Sequence, residues 1–461
     1  FQLIQYFGGL PYIDTVLPSD EKLRLPRLTY RQSADRVADD LRTAADLLPL
    51  NWDNTTVGKR TLGKNTMRIN KAMALGYLGK NLLWAASPLM NFTDTGNRSY
   101  DAALSKRAAD VFGELLTLIE GGETLYSLIP FEQKSNLFYT TGQNWALPGG
   151  SEAMFRAPTT GANGSNYQIS KQFMPLLISQ GDATMFMPTA NYVHENYGMA
   201  NGLPLPDDIT KADPESGYDP NFPWKDRDPR FYTDITYDGV QVIQGSIPDQ
   251  SQEVNRYANL FTGGSYRNLS NGSRTGYMSR KFVPLRANKY DNAYDWGTSL
   301  HINVPYMRVA DIYLMYAEAT AVGYNSPNSP SATFGKSAVD ALNVLRDRAG
   351  MASIHSKFLV SLEDFLPEMR RERAVELAFE RHRFTDLRRW LLLIEEPYTV
   401  KTAVELDRVG EFNFDDPTEN RVANIREVVI LERPFTEKHY WLPLKVSDVS
   451  LYPEMTQNPG W

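Results

Sequence analysis

Apolar residues recur at helical spacing in several stretches of the chain. From Thr29 to Leu48, the residues Ala34, Val37, Leu41, Ala44 and Leu48 mark one face; Thr29 is placed to cap the start, and Pro49 follows the end. A second apolar stretch, Met67 to Ala86, is crowded with Ala72, Ala74, Gly76, Gly79, Ala85 and Ala86 and stops at Ser87-Pro88. Ala102 to Leu118 carries Ala103, Ala108, Val111, Phe112 and Leu115 on a third helix. Val309 to Val322 and Ala338 to Arg348 predict a later pair, with Ala317, Ala319, Ala321 and Ala341 as small contact positions. Small residues let helix backbones approach closely, so neighbouring pairs of this kind predict tetratricopeptide-like hairpins, although no strict repeat is present.

The pattern changes between residues 121 and 305, where Gly, Asn, Ser, Thr, Pro and aromatic residues dominate. Phe231 to Tyr237 alternates like a strand, Asp238-Gly239 is a two-residue turn signal, and Val240 to Ile243 could return as its partner. The remainder predicts long loops mounted on the helices. Long irregular loops in a folded protein usually bind something, and the density of aromatic residues argues against disorder. The expected organisation is thus a helical scaffold over residues 1–120, a loop-rich ligand-binding region with short strands over 121–305, and C-terminal helical hairpins over 306–461, integrated into one domain. Phe1 to Phe7 has the character of the last turns of a helix, with Gly8-Gly9 to stop it and Pro11 beyond. The expectation is that an N-terminal segment of the native protein precedes these residues.

Composition narrows the function. The chain has 461 residues, 42% hydrophobic and 22% charged, which is enough for a large core. A net charge of −7 without a basic block argues against nucleic acid as a partner. No apolar run is long enough to span a bilayer as a helix, and cysteine is absent, which removes disulfides and thiolate chemistry. The five histidines, His194, His301, His355, His382 and His439, are scattered, and no metal, phosphate-loop, dinucleotide or nucleophile-elbow motif occurs. The Asp-rich turns at Asp207-Asp208 and Asp213 to Asp219 lack calcium-loop spacing. Neither a cofactor nor a metal is expected.

The most enzyme-like feature is the row Glu368, Glu372, Glu376 and Glu380, whose spacing aligns them along one side of a helix. Two such carboxylates could serve as the acid and base of a glycosidase. Arg370, Arg371, Arg373, Arg381 and Arg383 interleave with them, however, followed by Asp386, Arg388 and Arg389. Cations at helical spacing lower carboxylate pKa values, and a general acid needs the opposite. The row predicts a salt-bridged helix and no catalysis.

Aromatic residues make the case for binding, with 8 Trp, 25 Tyr and 21 Phe in the chain. Trp84, Trp224, Trp390 and Trp441 sit in segments expected to pack. Trp145 lies instead in a polar Gly-rich stretch beside Asn144, where no period could bury it, with Phe155 and Tyr167 following. Trp296 has a similar setting, near Tyr290 and Tyr294. A sugar ring presents an apolar C–H face and a hydroxyl rim, so flat aromatic rings beside amides and charges suit it. Trp145, Asn144, Phe155, Tyr167, Trp296, Tyr294 and Tyr290 are therefore the candidate ligand contacts.

Several segments, in order, resemble the SusD/RagB family of outer-membrane nutrient-binding proteins. They include Tyr6-Phe7-Gly8-Gly9-Leu10-Pro11, Ala85-Ala86-Ser87-Pro88-Leu89-Met90-Asn91 and Tyr197-Gly198-Met199-Ala200-Asn201-Gly202-Leu203-Pro204. Arg227-Asp228-Pro229-Arg230-Phe231-Tyr232 matches a family signature, and the helix from Arg308 to Ala319, Asn343 to Gly350 and Glu372 to Arg388 resemble later ones. The chain closes on Gln457-Asn458-Pro459-Gly460-Trp461, where the family usually has a final Tyr. Met90 likewise stands where the family has Phe. The resemblance implies a mostly α fold, a SusD-like α-α superhelix with a loop-rich ligand face and minor β-hairpins. It also implies a lipid-anchored protein at the outer-membrane surface, with the anchor in the N-terminal segment. Such a protein would pass oligosaccharides, or alternatively oligopeptides, to a SusC-type TonB-dependent transporter.

Overall fold

Short polar side chains open the long helices of this chain. In the computed structural model, which describes residues 1–17, 24–141, 149–156, 168–179, 186–291 and 300–461, Thr29 and Gln32 form a reciprocal capping box, and Ser337 and Asp340 form another. Asn70, Asp101 and Ser361 each accept a backbone N–H of the first turn that follows. These caps satisfy donors that a helix start otherwise leaves exposed. Asn70 also corrects the predicted start at Met67: the helix begins at Lys71, immediately after its cap.

The helices run, in chain order, α1 (Gln2–Phe7), α2 (Tyr30–Leu47), α3 (Lys71–Ala86), α4 (Pro88–Thr95), α5 (Ala102–Glu120), α6 (Gln168–Gln172) and α7 (Ala190–Asn196). They continue with α8 (Pro229–Asp234), α9 (Val309–Gly323), α10 (Ala338–Ala349), α11 (Leu362–Glu376), α12 (Arg383–Arg389) and α13 (Val446–Val449). The described strands are β1 (Tyr139–Thr140), β2 (Ala153–Phe155), β3 (Ile235–Thr236), β4 (Met278–Ser279), β5 (His301–Ile302), β6 (Met307–Arg308), β7 (Val400–Arg408) and β8 (Val422–Glu432). The chain is mainly helical, as expected.

Helix α2 packs on α3, α3 on α5 and α5 on α9, while α9 also carries α10 and α11. The α5–α9 contact brings the helices from the two ends of the chain together. The largest apolar cluster accordingly includes Ile4, Leu75, Leu116, Tyr316, Leu345 and Trp441. Small residues permit this approach. A Cβ added at Gly79 of α3 would lie 2.5 Å from the Phe112 ring of α5, so only hydrogen fits there. Helix α9 is buried on every side from Val309 to Val322, the position of a largely apolar helix at the centre of a bundle, and its Asp311 and Glu318 are paired with Arg373 and Arg389. Trp84, Trp390 and Trp441 join the main cluster, and Trp224 joins a second one with Phe231 and Tyr237.

The strands form two-stranded antiparallel ribbons, β1 with β5, β2 with β6, β3 with β4, and β7 with β8. Two findings differ from the sequence pattern. Phe231 to Tyr237 is not a strand paired with Val240 to Ile243; Pro229–Asp234 is helix α8, and only Ile235–Thr236 is extended, paired with Met278–Ser279. Asp228 accepts the N–H of Arg230, and Pro229 fits the first helical turn, so the local cap overrides alternation. The Asp238 carboxylate accepts the N–H groups of Leu260 and Phe261 and pairs with Arg408, which commits the turn to a different partner. The long ribbon β7–β8 lies in the region read as helical hairpins and was not anticipated.

Candidate functional site

Two short ribbons set the frame of the site. Thr140 pairs with His301 at the end of β1–β5, so the chain leaving toward residue 142 and the chain arriving from residue 299 share one end of that ribbon. Beside it, the Tyr306 N–H donates to the Phe155 carbonyl at 2.8 Å, and the Val309 N–H donates to the Glu152 carbonyl at 3.0 Å. The frame therefore brings together the described flanks of the loops that carry most of the candidate residues. Trp145, Asn144, Tyr167, Trp296 and Tyr294 themselves lie outside the described residues.

Phe155 is half-buried in an aromatic group that the sequence did not reveal. Its ring meets Tyr77 of α3 edge-on at 5.4 Å and Tyr306 at 5.8 Å, and Tyr77 in turn meets Phe1 at 6.0 Å. Tyr306 is 42% exposed. This group borders a cleft of about 260 Å³ whose lining includes Phe1, Gln5, Tyr77, Tyr306, Arg381 and His382. Its polar lining mixes neutral groups, Gln2, Gln5 and Thr385 among them, with the charged Lys80, Glu380 and Arg381. Burial, with Asp311 adding to it, pushes the Tyr77 phenol up to about 12, and Gln2 hydrogen-bonds it. Burial pulls His382 down to about 4; Asp311 opposes this, while Lys80 and Arg373 reinforce it. Near neutral pH the cleft thus presents a phenol and an uncharged imidazole beside flat apolar rings, with Lys80, Glu380 and Arg381 also in its wall. Hydroxyl-rich, weakly polar molecules fit such a surface.

Tyr290 sits elsewhere. It is half-buried against the cluster of Ile178, Ile243 and Ile247, with Lys289 over its ring at 4.9 Å. Tyr290 therefore belongs to a different apolar cluster from Phe155.

A sequence model of the SusD family matches residues 152–461, about two thirds of the chain. This chain belongs to the SusD family. A SusD-like protein from Bacteroides fragilis superposes with a TM-score of 0.69 at 20% identity, covering 100% of this chain and 77% of that one. A SusD-like carbohydrate-binding protein, also from Bacteroides fragilis, gives 0.63 at 20% identity over 99% of this chain and 77% of the other. A laminarin-binding SusD-like protein gives 0.57 at 19% identity over 100% and 76%. No curated protein sequence matches the chain.

In this SusD-family chain the glutamate row of α11 is a buried ionic spine. Arg308 binds Glu152 at 2.6 Å, Glu376 at 2.8 Å and Glu380 at 2.9 Å; Arg348 also reaches Glu152 and Glu376. Arg230 pairs with Asp228 and Glu372, Arg346 with Glu368 and Glu372, and Lys281 with Glu380. Burial alone would raise these acids. Arg230 and Arg346 outweigh it and hold Glu372 at about 2, as Arg308 and Lys281 do for Glu380. Glu376 is held well below the usual carboxylate range by Arg348, Arg308 and Lys134 against its burial. Carboxylates so placed cannot donate protons near neutral pH. A second chain of pairs runs from Asp311 through Arg373, Asp386 and Arg389 to Glu318, which also accepts from Trp390 Nε1 at 2.8 Å.

Tyr77 and Tyr306 were missed for different reasons. Tyr77 lies within an Ala/Gly-rich apolar helix, where a tyrosine reads as packing. Tyr306 follows Pro305 between two loop segments, where no period exists. The weak signal available was that Pro, which favours an extended approach to the tyrosine and leaves the ring outside any helix.

Proposed function

We propose that this chain captures an oligosaccharide at the outer surface of the outer membrane and delivers it to a SusC-type TonB-dependent transporter, itself held at the membrane by a lipid anchor. The observation that carries the reading is the half-open aromatic group of Tyr77, Phe155 and Tyr306 beside the ribbon of β2 and β6, in a chain of the SusD family. Rings beside polar side chains suit the C–H faces and hydroxyl rims of sugars. The relatives named for carbohydrate and laminarin binding favour a saccharide over an oligopeptide. The protein works as a binding component, because the carboxylates that could have served a glycosidase are neutralised inside the core.

The test is calorimetric titration of the intact protein with laminarin and a panel of other glycan and peptide ligands, alongside a reducing-end assay. A saccharide should bind without release of reducing ends. Tyr306→Ala should weaken that binding by about tenfold, the value of roughly 1.4 kcal/mol of lost ring stacking, with little change in melting temperature. Binding of peptides alone, or Glu376-dependent release of sugar, would overturn the reading.

A further inference from the structure

Arg381 also lines a second cleft, of about 350 Å³, formed by α7, α12 and the ends of β7 and β8. Arg381, Arg383, Lys401 and Arg433 line it, and Glu195 is the only carboxylate among its lining residues. None of these four cations makes an ion pair among the described residues, whereas Arg308, Arg346 and Arg373 in the core each hold two or more carboxylates. Instead, Arg383 lies over the Tyr398 ring at 5.3 Å, and Lys401 Nζ donates to the Tyr398 carbonyl at 2.8 Å. The cations also crowd one another. Lys401 is pulled down by burial and then by Arg433 and Arg383, with Glu195 opposing.

The backbone is built to place these groups. Phe379 and Arg381 adopt left-handed conformations, with φ of 64° and 71°, which residues other than glycine avoid. Between them Glu380 turns into the core to meet Arg308 and Lys281, while Phe379 and Arg381 line the cleft. Tyr192, Tyr398 and Phe384 supply ring surface around the cations, and Phe384 is 43% exposed. Like charges gathered around a cavity, with one carboxylate among four cations, favour an anion there, and arginine forks match carboxylate and sulfate groups.

We propose that this cleft binds the carboxylate or sulfate group of an acidic sugar, so that the oligosaccharide taken by this chain is anionic. The inference rests on the glycan-capture reading and names its substrate class.

Titration calorimetry on the intact protein with an oligogalacturonate, a sulfated galactan oligosaccharide, neutral laminarin oligosaccharide and a polyglutamate peptide, each at low and high salt, tests it. One acidic saccharide should bind, and its affinity should fall as salt rises. A Lys401→Gln/Arg433→Gln variant should weaken that binding by about tenfold or more, with an unchanged melting temperature and unchanged laminarin binding. The uronate and sulfate arms show which acidic group is taken. Absence of acidic-saccharide binding, or binding that the double variant leaves intact, overturns the inference, as does polyglutamate bound through the same residues without any saccharide. Tyr306-dependent laminarin binding with no acidic ligand would leave the capture reading standing and remove only the charge. Acidic-saccharide binding lost in the double variant yet indifferent to Tyr306→Ala would leave the anionic cleft standing and remove only the Tyr306 surface as the contact.

Discussion

Glu195 carries a cost that depends on pH. Burial raises its carboxyl to about 7, with Arg383 and Lys401 opposing and Glu427 adding to the rise. Below the ordinary value of 4.5 both folded and unfolded chains hold the proton. Between 4.5 and 7 the unfolded chain releases it while the folded chain retains it, so stability falls as pH rises through that window. Glu195→Gln should therefore gain on the wild type by on the order of 3 kcal/mol between pH 4 and pH 8. Urea unfolding at the two pH values measures this, and a constant difference would remove the pH term. Trp145 poses the other residue-scale question. If its loop is a ligand platform, Trp145→Ala should weaken saccharide binding by roughly tenfold and leave the melting temperature near that of the wild type. A loss of about 3–5 kcal/mol with unchanged affinity would instead make it a packing residue. The sequence could nominate Trp145 from its polar setting, but it could not find Tyr306, whose exposure depends on what packs around it.

Among elements, α11 shows how far helical spacing can be trusted. The four-residue spacing predicted charge compensation and holds along the helix for Glu368, Glu372 and Glu376, but Glu380 lies beyond the end of α11 and reaches the core through a turn. The arginines that do most of the compensating, Arg308, Arg230, Arg346 and Arg348, come from β6, α8 and α10 rather than from α11 itself. Removing one member leaves charges unpaired in the core. Glu376→Gln should thus destabilise by about 3–5 kcal/mol in chemical denaturation. Because Glu372 and Glu380 are held at about 2, their stabilisation is present above pH 4.5 and is lost as pH falls toward 2, so acid unfolding should be steep in that range. A result within the scatter of surface substitutions would show that the spine contributes little. The α3–α5 contact gives a second test. Gly79→Ala should cost about 1–3 kcal/mol, because the added methyl meets the Phe112 ring. Phe112→Leu in the same chain should recover part of that loss, and strict additivity in the double-mutant cycle would contradict the contact.

For the whole molecule, no helix among the described residues is long and apolar enough to cross a membrane, and the proposed function assigns the crossing to a transporter. Detergent extracts of outer membranes should yield this chain together with a large β-barrel. Recovery as a free monomer outside the membrane fraction would contradict the proposed partnership.

The sequence by itself determined most of the long helices, the Thr29 cap and the family. These properties are local or ordered along the chain: a Thr or Ser before an apolar period, a stripe of small residues, motifs in fixed succession. Asp228-Pro229 is equally local, and reading it as a cap would have replaced the mistaken strand at Phe231. Only the tertiary structure decided which cation meets which carboxylate. It alone also decided that Tyr77, Phe155 and Tyr306 form one surface, and that Arg381, Arg383, Lys401 and Arg433 share a cleft with the single carboxylate of Glu195. Those groupings join segments far apart in the chain, and no periodicity records them. They arise when α5 packs on α9 and the short ribbons draw the loop ends together, because burial and charge are properties of what surrounds a side chain rather than of its neighbours in sequence.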